Sequence, residues 1–369
     1  MTIPRRALTW TALALTLLAG GLLITRQSSF GTVEEVPERE KTMLSETYTV
    51  DQKYRSMMGP WSSQPVLLHP SEPPELVWIT GYEAVMVGPD GETQKPQDFM
   101  CHSNLDIDVA EHLREVGATP AFSPRLFTLS QGQFEIDFPE GFGIPVMSDR
   151  ALDLTTQVLN LNHEGAPVEV RHKVTIDYVL DRDLDRPMKA LFPVGAYGLA
   201  LLEGDDGYFG VSKPDEEHHG PGCMIGDNAS DHTYDDLRGR KFTGHWVVPP
   251  GRQVNHTLVT HLMQVPYDTR IHYIAVHLHP FAESLELRDL TTGETLFKSK
   301  AHNLGGGRIG LAEVEAFSSA EGIPVYRDHE YELVSVYDNT SGESQDSMAV
   351  MYIYLRDHEV EKRLDHLRG

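Results

Sequence analysis

From residue 75 onward the chain is a succession of short apolar runs rich in Val, Ile, Tyr and Phe, each closed by Gly, Pro or Asp. Side chains on a strand alternate between two faces, so runs of this length and composition read as strands. Glu75 to Val87, Gln133 to Phe138, Leu154 to Leu161, Val168 to Val179 and Ala190 to Leu202 form a first group. Val254 to Val265, Arg270 to His279, Ser284 to Asp289, Thr295 to Lys300, Glu330 to Val336 and Met348 to Leu355 form a second. Only Asp106 to Gly117 has helical spacing, through Val109, Leu113 and Val116. Many short strands with little helix predict an all-β fold of antiparallel sandwiches. The acidic stretch from Gly204 to Arg240 separates the groups and reads as a loop or domain connection.

The run Arg270 to His279 carries His277 and His279 two residues apart. On a strand both imidazoles leave the same face, while Ile274, Val276 and Leu278 fill the other. In the later run Ser347 to Leu355, Met348 adds a thioether if the two strands face one another. Two imidazoles and soft sulfur favour copper. The chain has 18 histidines, so a chance His-x-His pair is the plain alternative.

In combination these residues resemble a family. Val247-Val248-Pro249-Pro250-Gly251, Val276-His277-Leu278-His279 and Ser347-Met348-Ala349-Val350-Met351-Tyr352-Ile353 are similar, in order and spacing, to motifs in the C-terminal domain of the ascorbate-dependent type 2 copper monooxygenases, the group of peptidylglycine alpha-hydroxylating monooxygenase and dopamine beta-monooxygenase. The resemblance implies two jelly-roll-like sandwich domains in tandem. It also implies copper on His277, His279 and Met348, where O2 meets a substrate C–H bond, with ascorbate as external reductant. Peptide-amidating members bind the substrate carboxylate through positions matching Ala275, Val350 and Tyr352 here. The carboxylate-binding arginine is replaced by Ala275 and the asparagine by Val350, so a bidentate clamp is absent and a less charged small-molecule substrate is expected. Tyr352 keeps a hydroxyl and otherwise reads as a core aromatic.

The same resemblance implies a second copper in the first half, held by an adjacent histidine pair and a later histidine. His102 and His163 match, but Cys101 stands in place of the first histidine of the pair. A thiolate at Cys101 is a good copper ligand; a disulfide to Cys223, the other of the two cysteines, is the structural alternative. His172 is a further candidate ligand, and His218 and His219 are weaker ones in an acidic loop.

Arg5-Arg6 followed by the apolar run Ala7 to Ile24 reads as a signal peptide or membrane anchor over residues 1–26, and hence as an exported chain, periplasmic or extracellular. Residues 27–74 read as a polar linker, 75–240 and 241–358 as the two domains, and 359–369 as a charged tail. A formal net charge of −24 argues against nucleic-acid binding and against an anionic membrane surface beyond the N-terminal segment. The expected function is a copper-dependent monooxygenase with one or two coppers. The rivals are a non-catalytic copper protein for storage, delivery or sensing, and a zinc hydrolase, which the methionine disfavours.

Overall fold

Along Val168–Leu180 every second side chain from Val170 to Tyr178 is buried, the period-2 pattern of a strand with one face on a core. In the computed structural model, which describes residues 37–117, 119, 121–201, 233–235 and 241–368, this strand belongs to a ten-stranded sheet. The main path of the sheet runs Arg39–Leu44, Val168–Leu180, Leu76–Val87, Phe142–Met147, Lys189–Tyr197, Ala349–Arg356, Thr269–Leu278 and Phe317–Val325. Tyr48–Val50 and Glu135–Asp137 pair off that path. At one end the sheet is faced by a four-stranded sheet of Trp61–Val66, Leu152–Val158, Met100–Ile107 and Arg125–Ser130. At the other end it is faced by a five-stranded sheet of Gly251–Leu258, Tyr331–Asn339, Ala282–Asp289, Glu294–Asn303 and Leu311–Val314. The fold is all-β, two jelly-roll-like sandwiches in tandem, as the sequence predicts.

The two sandwiches are less separate than a boundary at residue 240 implies. Lys189–Tyr197, from the first half, pairs antiparallel over seven positions with Ala349–Arg356 from the second. At its other edge it meets Phe142–Met147 in a short parallel ladder. Apolar side chains of both halves form one core, and the described residues make a single compact unit. At the junction Phe127 stacks on Tyr82 at 5.1 Å between ring centroids and meets Tyr354 at 5.9 Å. The Tyr354 hydroxyl donates to the Leu126 carbonyl at 2.8 Å.

Other expected boundaries change. From residue 37, the expected linker is largely structured: Arg39–Leu44 lies antiparallel on Val168–Leu180, and Trp61–Val66 on Leu152–Val158. Arg39, Glu40 and Lys41 are consecutive on an edge strand and none of them is buried, a use of charge that blunts edges and mimics linker composition. The expected charged tail is the helix His358–Arg368, whose Val360 and Leu364, one turn apart, are buried. The Asp357 carboxylate accepts from the backbone N–H of Val360 at its start. The expected helix in the first half is confined to Val109–Glu115, because Asp106 and Ile107 continue a strand and Asp108 caps the helix by accepting from the Glu111 N–H. Among the described residues no helix is long and apolar enough to cross a membrane. The run Ala7 to Ile24 lies outside them, as do His218, His219 and Cys223.

His112, inside that short helix, packs against Phe122 at 4.5 Å between ring centroids, and burial lowers its pKa to about 4. Between pH 6.5 and about 4 the unfolded chain therefore binds a proton here that the folded chain refuses. Stability is full above pH 6.5 and is lost as pH falls through that window, at up to about 1.4 kcal/mol per pH unit from this group. Urea unfolding at pH 7, 5.5 and 4.5 should show a shallower decline for His112→Leu than for the parent chain; equal slopes would remove His112 as a source.

Candidate metal centre

Thr269–Leu278 is buried from Ile271 onward, and its neighbour Ala349–Arg356 sets Val350 opposite His277 and Tyr352 opposite Ala275. Opposed residues in a sheet share a face, so the His277, Tyr352 and Ala275 side chains leave on one side. Leu278 opposes Ala349, which places His279 and Met348 at the adjacent position, just past both strand ends. Tyr337 ties those two ends together: its hydroxyl receives the His279 backbone N–H at 3.3 Å and donates to the Met348 carbonyl.

The two imidazoles are anchored alike. His277 Nδ1 shares a hydrogen bond with Ser130 Oγ at 2.8 Å, and His279 Nδ1 lies 3.4 Å from an Asp346 carboxylate oxygen. His277 Nε2 is buried with no hydrogen-bond partner among the described residues. His279 Nε2 has one long contact, to Ser56 Oγ at 3.4 Å. The rings are perpendicular with centroids 5.2 Å apart. A metal-binding histidine characteristically has one nitrogen held by an oxygen and the other left for the ion; His277 meets that description, and His279 meets it but for the long contact to Ser56. Burial, with His279, His102, His245 and Arg125 adding to it, holds the His277 pKa well below its ordinary value, so its ring is neutral and its lone pair available.

Two cavities meet at His277. The larger, of about 200 Å³, is lined by His277, His279, Cys101, Ser130, Asn160 and Asp346 among others, with Lys53, Arg55 and Glu343 among the charged lining residues. The smaller is lined by His102, Asn104, Arg125, Thr128, His277, Met348 and Tyr352. His277 and Met348 line the smaller cavity together, while His279 lines the larger one with His277. Ala275 and Val350 are fully buried, and neither lines either cavity.

The expected ligands of a second metal are divided. Adjacent strand residues leave on opposite faces, and Cys101 lines the larger cavity while His102 lines the smaller. His102 and His172 are both buried, and none of their ring nitrogens has a hydrogen-bond partner among the described residues. Burial, with the neighbouring His102 adding to it, lowers the His172 pKa to about 3. His163 is not brought to either cavity: its Nε2 bonds the Ala166 carbonyl at 2.8 Å within its own turn. The set of Cys101, His102 and His163 is therefore not assembled, and His172 is the histidine associated with His102. Cys101 is buried, and the proposed pairing with Cys223 falls outside the described residues.

Sequence reasoning passed over His245 and Asp346. The strand Trp246–Val248 pairs with Gln345–Ser347, and this ladder brings His245 Nε2 to 3.0 Å from Asp346 Oδ1. Burial opposes charge on both. The mutual attraction outweighs it, raising the His245 pKa and carrying that of Asp346 far below the usual carboxylate range. The signal in the sequence was slight: Asp346 stands two residues before Met348, and His245 two before the Val247 motif.

Among solved structures, the STIV MCP aligns over 84% of this chain and 97% of its own, at 10% identity and a TM-score of 0.30. A peptide-N(4)-(N-acetyl-beta-D-glucosaminyl) asparagine amidase aligns over 86% of this chain and 96% of its own, at 8% identity and a TM-score of 0.33. PBCV-1 VP54, fitted into a reconstruction of the virophage Sputnik, aligns over 89% and 97%, at 11% identity and a TM-score of 0.30. No protein-family model and no curated protein matches the chain. The case for a function therefore rests on the chain's own side chains.

Proposed function

We propose that this chain is a copper-dependent oxidoreductase of the monooxygenase type, with His277, His279 and Met348 as the ligands of the reacting metal. The observation that carries the reading is the shared anchoring of the two imidazoles: each Nδ1 faces an oxygen, and the buried His277 Nε2 is left without a partner. The donor set fits copper, since imidazole serves both oxidation states and a thioether favours the reduced one. Copper so bound supplies oxygen activation for insertion into a C–H bond, with electrons from a reductant such as ascorbate.

The chain's own residues prepare the place. Ser130 and Asp346 fix the imidazole orientations, Tyr337 fixes the strand ends, and the neutral state of His277 removes competition from protons. Leu159, Leu161, Leu278 and Ile309 give the larger cavity apolar walls, suited to a small molecule of low charge. His102 and His172, buried with unsatisfied nitrogens, are the residues available to a second metal. A second reading, a copper protein without turnover, is favoured by one observation: His163 stays in its own turn.

Metal analysis and Cu(I) competition titration of the full chain test the proposal. Met348→Leu is expected to weaken Cu(I) by about tenfold or more while changing Cu(II) less. Unchanged Cu(I) affinity in this variant would exclude Met348 as a ligand. Ascorbate-driven oxygen uptake that rises on addition of an apolar substrate separates the oxidoreductase from the binding protein.

A further inference from the structure

We infer that His245, His279 and Asp346 form a distinct metal position on the wall of the larger cavity, one that takes a divalent first-row ion. A nitrogen from each histidine and a carboxylate oxygen all lie within 4.8 Å of one another, so that a small side-chain adjustment brings all three onto one ion. The rings of His245 and His279 are perpendicular with centroids 5.4 Å apart, so the two imidazoles approach the carboxylate from different directions. The set itself supplies a sign that the wall is built for a ligand: Asp346 Oδ2 is buried and makes no hydrogen bond among the described residues, its near neighbour being His279 Nδ1 at 3.4 Å. Buried polar atoms rarely go unsatisfied, and an ion accounts for one that does.

The donor set decides the class of ion. Two imidazoles and a carboxylate, with no sulfur, suit zinc, iron(II), cobalt(II) or copper(II) and disfavour copper(I). The position shares His279 with the copper centre proposed above but uses neither Met348 nor its cavity, so the inference stands or falls separately from that proposal. A neutral imidazole has a single lone pair, so the two ions are alternatives at His279, the reduced one drawn toward Met348 and the divalent one toward Asp346.

Cobalt(II) is the probe, because its visible bands report coordination number and ligand type. Titration of the full chain is expected to give one equivalent with the intense bands of a four- or five-coordinate ion. Asp346→Asn and His245→Gln should each weaken cobalt(II) binding by about tenfold or more, and Met348→Leu should leave it within about twofold. Copper(I) should follow the other order, falling in Met348→Leu. Cobalt(II) bound equally by the parent, Asp346→Asn and His245→Gln overturns the inference, as does failure of the parent to bind it; in either case the copper(I) result still judges the copper centre. If Asp346→Asn fails to fold, the thermal shift given by cobalt(II) to the parent and to His245→Gln decides, an equal shift counting against the site.

Discussion

A His277→Ala chain is expected to lose at least about 100-fold in copper affinity, roughly 2.7 kcal/mol, while the metal-free protein remains close to the parent in stability. The separation of the two effects follows from how the imidazole is held. Its removal deprives Ser130 Oγ of a partner at 2.8 Å and leaves space against Val350, both unfavourable. It also removes a buried nitrogen that has no hydrogen-bond partner, which is favourable. The metal-free terms nearly offset one another, but the loss of a ligand has no counterweight. Equilibrium competition with a chromophoric copper chelator, beside urea unfolding of the metal-free protein, reads both. Retained affinity would exclude His277 from the centre. A fall in stability equal to the fall in affinity would assign it a structural role only.

Phe127→Ala is expected to lower the stability of the whole chain by about 3–5 kcal/mol. Phe127 is fully buried, and besides its contacts with Tyr82 and Tyr354 it meets Phe138 at 5.7 Å between ring centroids. Truncation opens a void at the point where the halves meet, and three aromatic neighbours cannot all close on it. Set against a typical total of about 5–15 kcal/mol, such a loss is large. Urea unfolding followed by both tryptophan fluorescence and far-ultraviolet circular dichroism should show one transition moved to lower denaturant. A loss below about 1 kcal/mol would mean that the junction repacks around the missing ring.

The parts of the fold legible in the sequence were those whose buried side chains are apolar. Val168–Leu180 and Thr269–Leu278 were visible because their interior positions carry Val, Ile and Tyr. Met100–Ile107 and Arg125–Ser130 escaped notice because polar residues occupy interior positions, among them Ser103, Asn104 and Thr128. Those residues are tolerated through partners that no local pattern announces: Ser103 meets the Tyr82 hydroxyl at 2.7 Å, across the sandwich. The candidate centre divides in the same way. His277 and His279 are set by strand periodicity alone, and Met348 followed only on the condition that a later strand faces theirs, a condition to which a resemblance of motifs added weight. His245 joins Asp346 across a separation of 101 positions through a three-residue ladder, a pairing that only the folded chain creates.

The strand Lys189–Tyr197 gives the molecule a property that neither sandwich has alone. Because one of its edges is sealed by Phe142–Met147 and the other by Ala349–Arg356, synthesis of the first half presents a long open ladder until the last strands emerge. Such an edge invites pairing with other chains. Division of the chain into independent modules is accordingly unfavourable, and the halves are bound to fold and to be lost together.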